Sequence, residues 1–106
     1  MSFTLIEQAT PRLHRSELAV PGSAPGMFEK AATSKADVVF LDLEDAVAPD
    51  AKVAARQNIL AALETGFGYR EAVVRINSLN TPWGLDDLKT FANSKADAIE
   101  IGRAHV

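Results

Sequence analysis

The sequence predicts a parallel α/β fold made of about four strand–helix units. Three observations carry the prediction. Short apolar runs recur with centres near residues 18, 41, 74 and 99, a spacing of about 23–33 residues that suits successive βα units. Stretches with helical periodicity lie between them. The first three runs each end in a polar or Gly/Pro-rich loop: Pro21-Gly22-Ser23-Ala24-Pro25-Gly26, Asp42-Leu43-Glu44-Asp45 and Arg75-Ile76-Asn77. Ligands of parallel α/β proteins gather at the carboxyl ends of strands. The same pattern therefore says where chemistry should sit.

Residues 1–15 carry little periodicity and read as an N-terminal arm. The first strand, Ser16 to Val20, stops at Pro21-Gly22-Ser23. A helix is expected from about Pro25 to Lys35, with Ser23 as N-cap and Met27, Phe28, Ala31 and Ala32 on its buried face. Val38-Val39-Phe40-Leu41 is continuously apolar, as a strand covered on both faces should be. The helix after it is expected from about Pro49 to Glu64. Its buried stripe would be Val53, Leu60 and Leu63 beside Ala54 and Ala61, and Gly66 and Gly68 would stop it. Ala72 to Asn77 is the third strand, followed by a weaker helix with apolar positions Leu85, Leu88 and Phe91. The fourth strand starts at Ala96-Asp97-Ala98-Ile99. The repetition is expected to be architectural, without internal sequence identity. Such a pattern fits either a small doubly wound domain or the N-terminal part of a (β/α)8 barrel, which needs about 250 residues.

Composition narrows the function classes. Eleven Lys and Arg against fourteen Asp and Glu give a net charge of −3, and 47% of the chain is apolar. The core-forming content excludes a disordered chain, and the missing basic surplus argues against general nucleic-acid binding. No apolar run approaches a membrane span of about 20 residues. The N-terminus lacks a signal-peptide core, so a cytoplasmic location is expected. With no cysteine, thiolate metal sites and thiol nucleophiles are excluded.

The acidic cluster is the sharpest chemical feature. Asp42 and Glu44 share parity in an extended strand and should project to one side, with Asp45 opposite. Carboxylates there suit hard divalent cations or acid/base work; equally, they could open a solvated loop. Arg75 sits between Val74 and Ile76 in a strand that otherwise reads as buried, where a charge needs a partner. Its guanidinium could capture a substrate carboxylate or form an internal salt bridge to Asp42 or Glu44. The loop from Pro21 to Gly26 offers N–H groups to a phosphate but matches no established phosphate motif. Lys30 could meet a phosphate or simply be solvated. His14 and His105 lack partners at metal-ligand spacing, and Trp83 reads as loop packing. An alternative is a phospho-receiver-like signalling module with Asp42 as phosphoacceptor, although its acidic pair after strand 1 is missing.

Several separated motifs occur in order and carry a resemblance. Arg15 to Ser23, Phe28-Glu29-Lys30, Ala36 to Lys52, Val74-Arg75-Ile76-Asn77 and Thr81-Pro82 resemble the citrate lyase β-subunit-like enzymes of the HpcH/HpaI aldolase/citrate lyase superfamily. Within it, the sequence is most similar to the L-malyl-CoA/β-methylmalyl-CoA lyases. The resemblance covers roughly residues 1–99. It implies about four βα units of a TIM barrel, over residues 16–100. The implied reaction is reversible cleavage of a 3-hydroxyacyl-CoA thioester to an acyl-CoA and glyoxylate, with Mg²⁺ as cofactor and Mn²⁺ as a substitute.

Carried over residue by residue, Arg75 matches the arginine that holds the glyoxylate-like carboxylate. Glu44 and Asp45 match acidic residues that organise the metal's water shell without ligating it. The direct ligands are expected downstream. Lys30 matches a lysine that contacts the CoA phosphates, and Ala19 lies in the segment passing along CoA. Ala24 stands where relatives carry a basic CoA contact, which weakens phosphate binding there. The resemblance also implies a homo-oligomeric parent, no nucleic-acid or membrane partner, and little activity for this piece alone. Ile101-Gly102-Arg103-Ala104-His105-Val106 departs from the family pattern and matches the in-frame translation of a common sequencing adapter. Residues 101–106 are accordingly expected to be a non-native tail.

Overall fold

The computed structural model describes residues 16–102. The arm at 1–15, with His14, and residues 103–106, with His105, lie outside the described residues. Four strands form one sheet in the order β1-β2-β3-β4: β1 Glu17–Pro21, β2 Val38–Asp42, β3 Glu71–Ile76 and β4 Ala98–Ile101. Every neighbouring pair is parallel. Sequential order with no reversal is the pattern of a βα barrel; a doubly wound receiver sheet would place its strands as 2-1-3-4-5. The receiver alternative fails on this topology.

The helices are α1 Phe28–Ala32, α2 Lys52–Thr65 and α3 Gly84–Ala92. Short 3₁₀ turns, Pro25–Met27 and Pro49–Ala51, lead into α1 and α2. Proline suits these first turns because its missing N–H would have no helical partner there. Helix α1 is shorter than expected. The Thr33 hydroxyl bonds back to the Glu29 and Lys30 carbonyls and the Ser34 hydroxyl to that of Ala31, which close the helix at Ala32.

The sheet has two buried layers. Val20, Val39, Leu41, Val74, Ile76 and Ile99 pack under the helices with Phe28, Ala31, Ala55, Ile59, Leu63 and Phe91. Val38, Val73 and Ala98, with Phe40 against them, form a second cluster on the opposite face. Strands buried on both faces explain the continuous apolar runs.

The helix stripes differ from expectation. Val53 is 58% exposed and Ala54 and Ala61 are also exposed, while Lys52, Ala55, Ile59 and Leu63 are buried. Alanines spread around α2 blur its amphipathic signal, and packing on the sheet selects the i, i+4 row through Ala55, Ile59 and Leu63. In α3, Leu85 is 54% exposed and Gly84, Asp87 and Phe91 face inward. Met27 is likewise exposed.

One internal repetition does extend to sequence. Ser34-Lys35-Ala36-Asp37 and Ser94-Lys95-Ala96-Asp97 build the same helix-to-strand turn. Each serine hydroxyl donates to a helix carbonyl, Ala31 or Phe91, and accepts the N–H of the alanine two residues on. Each aspartate then accepts a backbone N–H from the neighbouring strand segment, Ser16 at 3.2 Å or Ala72 at 2.7 Å. Strand β4 runs on through Ile101, which pairs with Ile76. Ladder bonds are backbone bonds, so this pairing is indifferent to the source of the residue.

Candidate active site

Parallel pairing brings the carboxyl ends of the strands to one rim, and register decides which side chains meet there. Asp42 is the Cα partner of both Pro21 and Arg75, and Arg75 is the partner of Glu100. Period-two alternation puts Ala19, Phe40, Asp42, Arg75 and Glu100 on the face opposite the helices. They line a small cleft of about 210 Å³. A larger cleft of about 530 Å³ between α1 and α2 shares none of these residues and is mostly apolar.

Arg75 binds Asp42 side-on. Its Nε donates to Asp42 Oδ1 at 3.0 Å and its Nη2 to Oδ2 at 2.9 Å, while Nε lies 3.6 Å from Glu44 Oε1. Asp42 also accepts the Glu44 N–H at 2.8 Å on Oδ1 and the Ala46 N–H at 3.1 Å on Oδ2. Burial pushes the Asp42 carboxyl up, but the Arg75 hydrogen bonds, the Glu44 and Ala46 N–H groups and the Arg75 charge outweigh it and hold the carboxyl below its ordinary value. The hydrogen bonds that Arg75 donates to Asp42 raise the Arg75 pKa, opposed by desolvation and aided by the charges of Asp42, Glu44 and Asp45. With both oxygens engaged twice, Asp42 has no lone pair presented for phosphorylation. The phosphoacceptor alternative fails here as well.

Glu44 is buried and Asp45 is exposed. The structure therefore gathers Arg75, Glu44 and Ala19 at one place, with Asp45 on the outer side of the same loop. Lys30 lies on the exposed side of α1 and Ala24 in the loop before it; neither lines the Arg75 cleft. Among the described residues, no three His, Cys, Asp or Glu side chains converge as a ligand set for a metal ion.

A supporting network was not evident in the sequence. The Lys52 ammonium donates to the Leu43 carbonyl at 2.9 Å, the Glu44 carbonyl at 2.8 Å and Asn77 Oδ1 at 2.8 Å. It also lies 5.1 Å from the centre of the Trp83 ring, so Trp83 contributes a cation–π contact. Burial lowers the Lys52 pKa, offset in part by the charges of Asp42, Asp87, Glu44 and Asp45. The usable signal was a charge on a buried helical row, since Lys52 precedes Ala55 and Ile59 by three and seven positions.

A parallel sheet in sequential order, with ionised groups collected at the carboxyl ends of its strands, defines the βα-barrel class. Within that class the chain belongs to the HpcH/HpaI aldolase/citrate lyase family, whose sequence profile matches residues 15–102. It is 50% identical over 105 residues to an L-malyl-CoA/beta-methylmalyl-CoA lyase of Cereibacter sphaeroides, covering 95% of this chain and 33% of that protein. It is 47% identical over 98 residues to a (3S)-malyl-CoA thioesterase of the same species, covering 92% of this chain and 34% of that protein. Among solved structures, CitE from Mycobacterium tuberculosis in complex with magnesium, acetoacetate and coenzyme A superposes with a TM-score of 0.69 at 35% identity, covering 85% of this chain and 33% of that one. The chain thus spans about a third of the length of the curated relatives it matches. The relatives place it in a family of CoA-related lyases.

Proposed function

We propose that this chain supplies the first βα units of a Mg²⁺-dependent carbon–carbon lyase. The enzyme cleaves a 3-hydroxyacyl-CoA, malyl-CoA or β-methylmalyl-CoA, reversibly to an acyl-CoA and glyoxylate. The observation that carries the reading is Arg75: a guanidinium fixed at a strand end, in a cleft walled by Ala19 and Phe40. Such a group suits bidentate capture of a small carboxylate. In cleavage, the C2–C3 bond breaks, the 3-hydroxyl loses its proton to become the aldehyde oxygen of glyoxylate, and the electron pair passes to the thioester as an enolate that is then protonated. Arg75 holds the acid through this charge movement. Glu44 and Asp45 would orient the water shell of a Mg²⁺ whose direct ligands would come from downstream strands; when bound, the ion would neutralise the developing oxygen charge. Lys30 serves the CoA phosphates, and the Ala19 segment passes along the thioester. The intact parent is a homo-oligomer working in the cytoplasm. No helix among the described residues is long and apolar enough to cross a membrane.

The test is to complete the chain with its own downstream reading frame and to measure glyoxylate release from malyl-CoA. Arg75→Ala should lower kcat/KM by roughly 100-fold or more, the scale of losing a group that holds transition-state charge. An unchanged kcat/KM would remove the role given to Arg75. The thioesterase relative favours a second reading, hydrolysis of the thioester. Free CoA released without glyoxylate would establish that reading instead.

A further inference from the structure

We propose that Asp42 is the positioning residue of this site. It locks the Arg75 guanidinium and the acidic loop into one unit, and leaves the Nη1 side of the guanidinium for the substrate carboxylate. The proposal rests on the reading that Arg75 holds the acid. It adds a residue to which the resemblance gives no role.

The geometry is specific. A guanidinium can pair with a carboxylate through its Nε–Nη2 side or through its Nη1–Nη2 end. Asp42 takes the side, through Nε at 3.0 Å and Nη2 at 2.9 Å. Nη1 is outside that pair. The remaining capacity of the same two carboxylate oxygens goes to the N–H groups of Glu44 and Ala46. Asp42 is 4% exposed, so these bonds form largely out of water. Two positions that must agree in space, the Arg75 head and the loop bearing Glu44 and Asp45, are therefore referenced to one carboxylate. A second carboxylate arriving at Arg75 would meet a guanidinium already oriented, with little rotamer entropy left to lose.

Asparagine at 42 keeps the shape but replaces one acceptor with an N–H₂ group that faces donors. In the completed enzyme run in the condensation direction, Asp42→Asn should raise the KM for glyoxylate roughly 10- to 100-fold. The KM for the acyl-CoA should change little. A merely structural role would reduce the folded fraction and leave both KM values alone. Arg75→Ala is run beside it. If Arg75→Ala raises the glyoxylate KM and Asp42→Asn does not, the positioning role is overturned and the substrate reading stands. If neither raises it, the substrate reading falls and this proposal falls with it. Should Asp42→Asn not fold, the wild-type enzyme supplies the decision by NMR of arginine Nε–H groups. The Arg75 Nε–H signal should stay protected when glyoxylate is added. Loss of that protection would mean that the acid displaces Asp42, and would overturn the proposal.

Discussion

Asp87 Oδ2 accepts two hydrogen bonds from Asn77, the backbone N–H at 3.1 Å and the side-chain amide at 2.6 Å. Asp87 is fully buried on α3, and its other oxygen takes Arg56 Nε from α2 at 2.9 Å. Asn77 in turn accepts the Lys52 ammonium. The line Lys52, Asn77, Asp87, Arg56 joins α2 and α3 to the carboxyl end of β3, behind the rim that carries Arg75.

Removing Asp87 should therefore be costly out of proportion to its size. Asp87→Ala leaves the Arg56 charge, 11% exposed, without its carboxylate and strands both Asn77 donors. Breaking a buried pair from one side costs about 3–5 kcal/mol. Leu85→Ala, on the exposed side of the same helix, should stay within about 0.5 kcal/mol. Urea unfolding of the two variants checks the contrast; similar midpoints would show that the network is not structural.

Lys52→Met keeps much of the side-chain length and removes the ammonium. The Leu43 and Glu44 carbonyls and Asn77 Oδ1 would all lose their donor. A loss of about 2–4 kcal/mol is expected, because unsatisfied buried acceptors carry their desolvation cost. Amide hydrogen exchange should accelerate over residues 43–46 more than in β3. Uniform acceleration would place the role of Lys52 in general stability and not in holding the acidic loop.

Much of this molecule was legible in its sequence. The strands stood out because apolar runs buried on both faces leave no ambiguity of face, as Val38–Leu41 shows. Of the two readings left open for Arg75, the structure shows the internal salt bridge to Asp42. The helix faces were harder. In α2, alanine gives no directional signal, and a lysine occupies the buried row beside Ala55 and Ile59. In α3, Asp87 takes the place an apolar residue would usually have. Their burial depends on Asn77 and Arg56, which come from other elements, and helical periodicity carries no trace of such partners.

The turn after β1 is set by a contact that only glycine permits. A Cβ on Gly22 would lie 2.7 Å from Ile59 Cδ1 and 3.0 Å from Ala55 Cβ. Its N–H donates to the Asp42 carbonyl at 2.8 Å and its carbonyl accepts from Asn58. Gly22→Ala should cost about 1–3 kcal/mol by overpacking. Ile59→Val in the same chain should recover part of that loss, since it removes the atom in the way. Measured unfolding energies that simply add would show that the two sites do not touch.

Lys30 offers a separate check on the CoA side of the proposed function. It is exposed on α1, away from the Arg75 cleft. In the completed enzyme, Lys30→Ala should raise the KM for the CoA thioester by roughly three- to tenfold and leave the glyoxylate KM alone. An exposed charge on a phosphate contributes modestly. Added salt should shrink the difference between wild type and variant by screening. A KM unaffected by the substitution would remove Lys30 from the binding site.

Acid should weaken the fold through Asp42. Its burial favours the protonated form, yet the hydrogen bonds from Arg75, Glu44 and Ala46 and the Arg75 charge outweigh this and depress its pKa below 3.8. A carboxylate depressed in the folded state contributes stability that is fully present above its unfolded value. That contribution is lost as pH falls through the folded value, because the unfolded chain binds the proton first. Arg75 is shifted the other way and stays charged throughout, so the pair can be broken only from the acid side. Urea midpoints should accordingly fall as pH drops below the ordinary aspartate range. In Asp42→Asn, the protein should be less stable near neutral pH, and the acid limb of the curve should be shallower than in wild type. If the variant's curve is lowered without any change of slope, Asp42 is not a group whose protonation unfolds the rim.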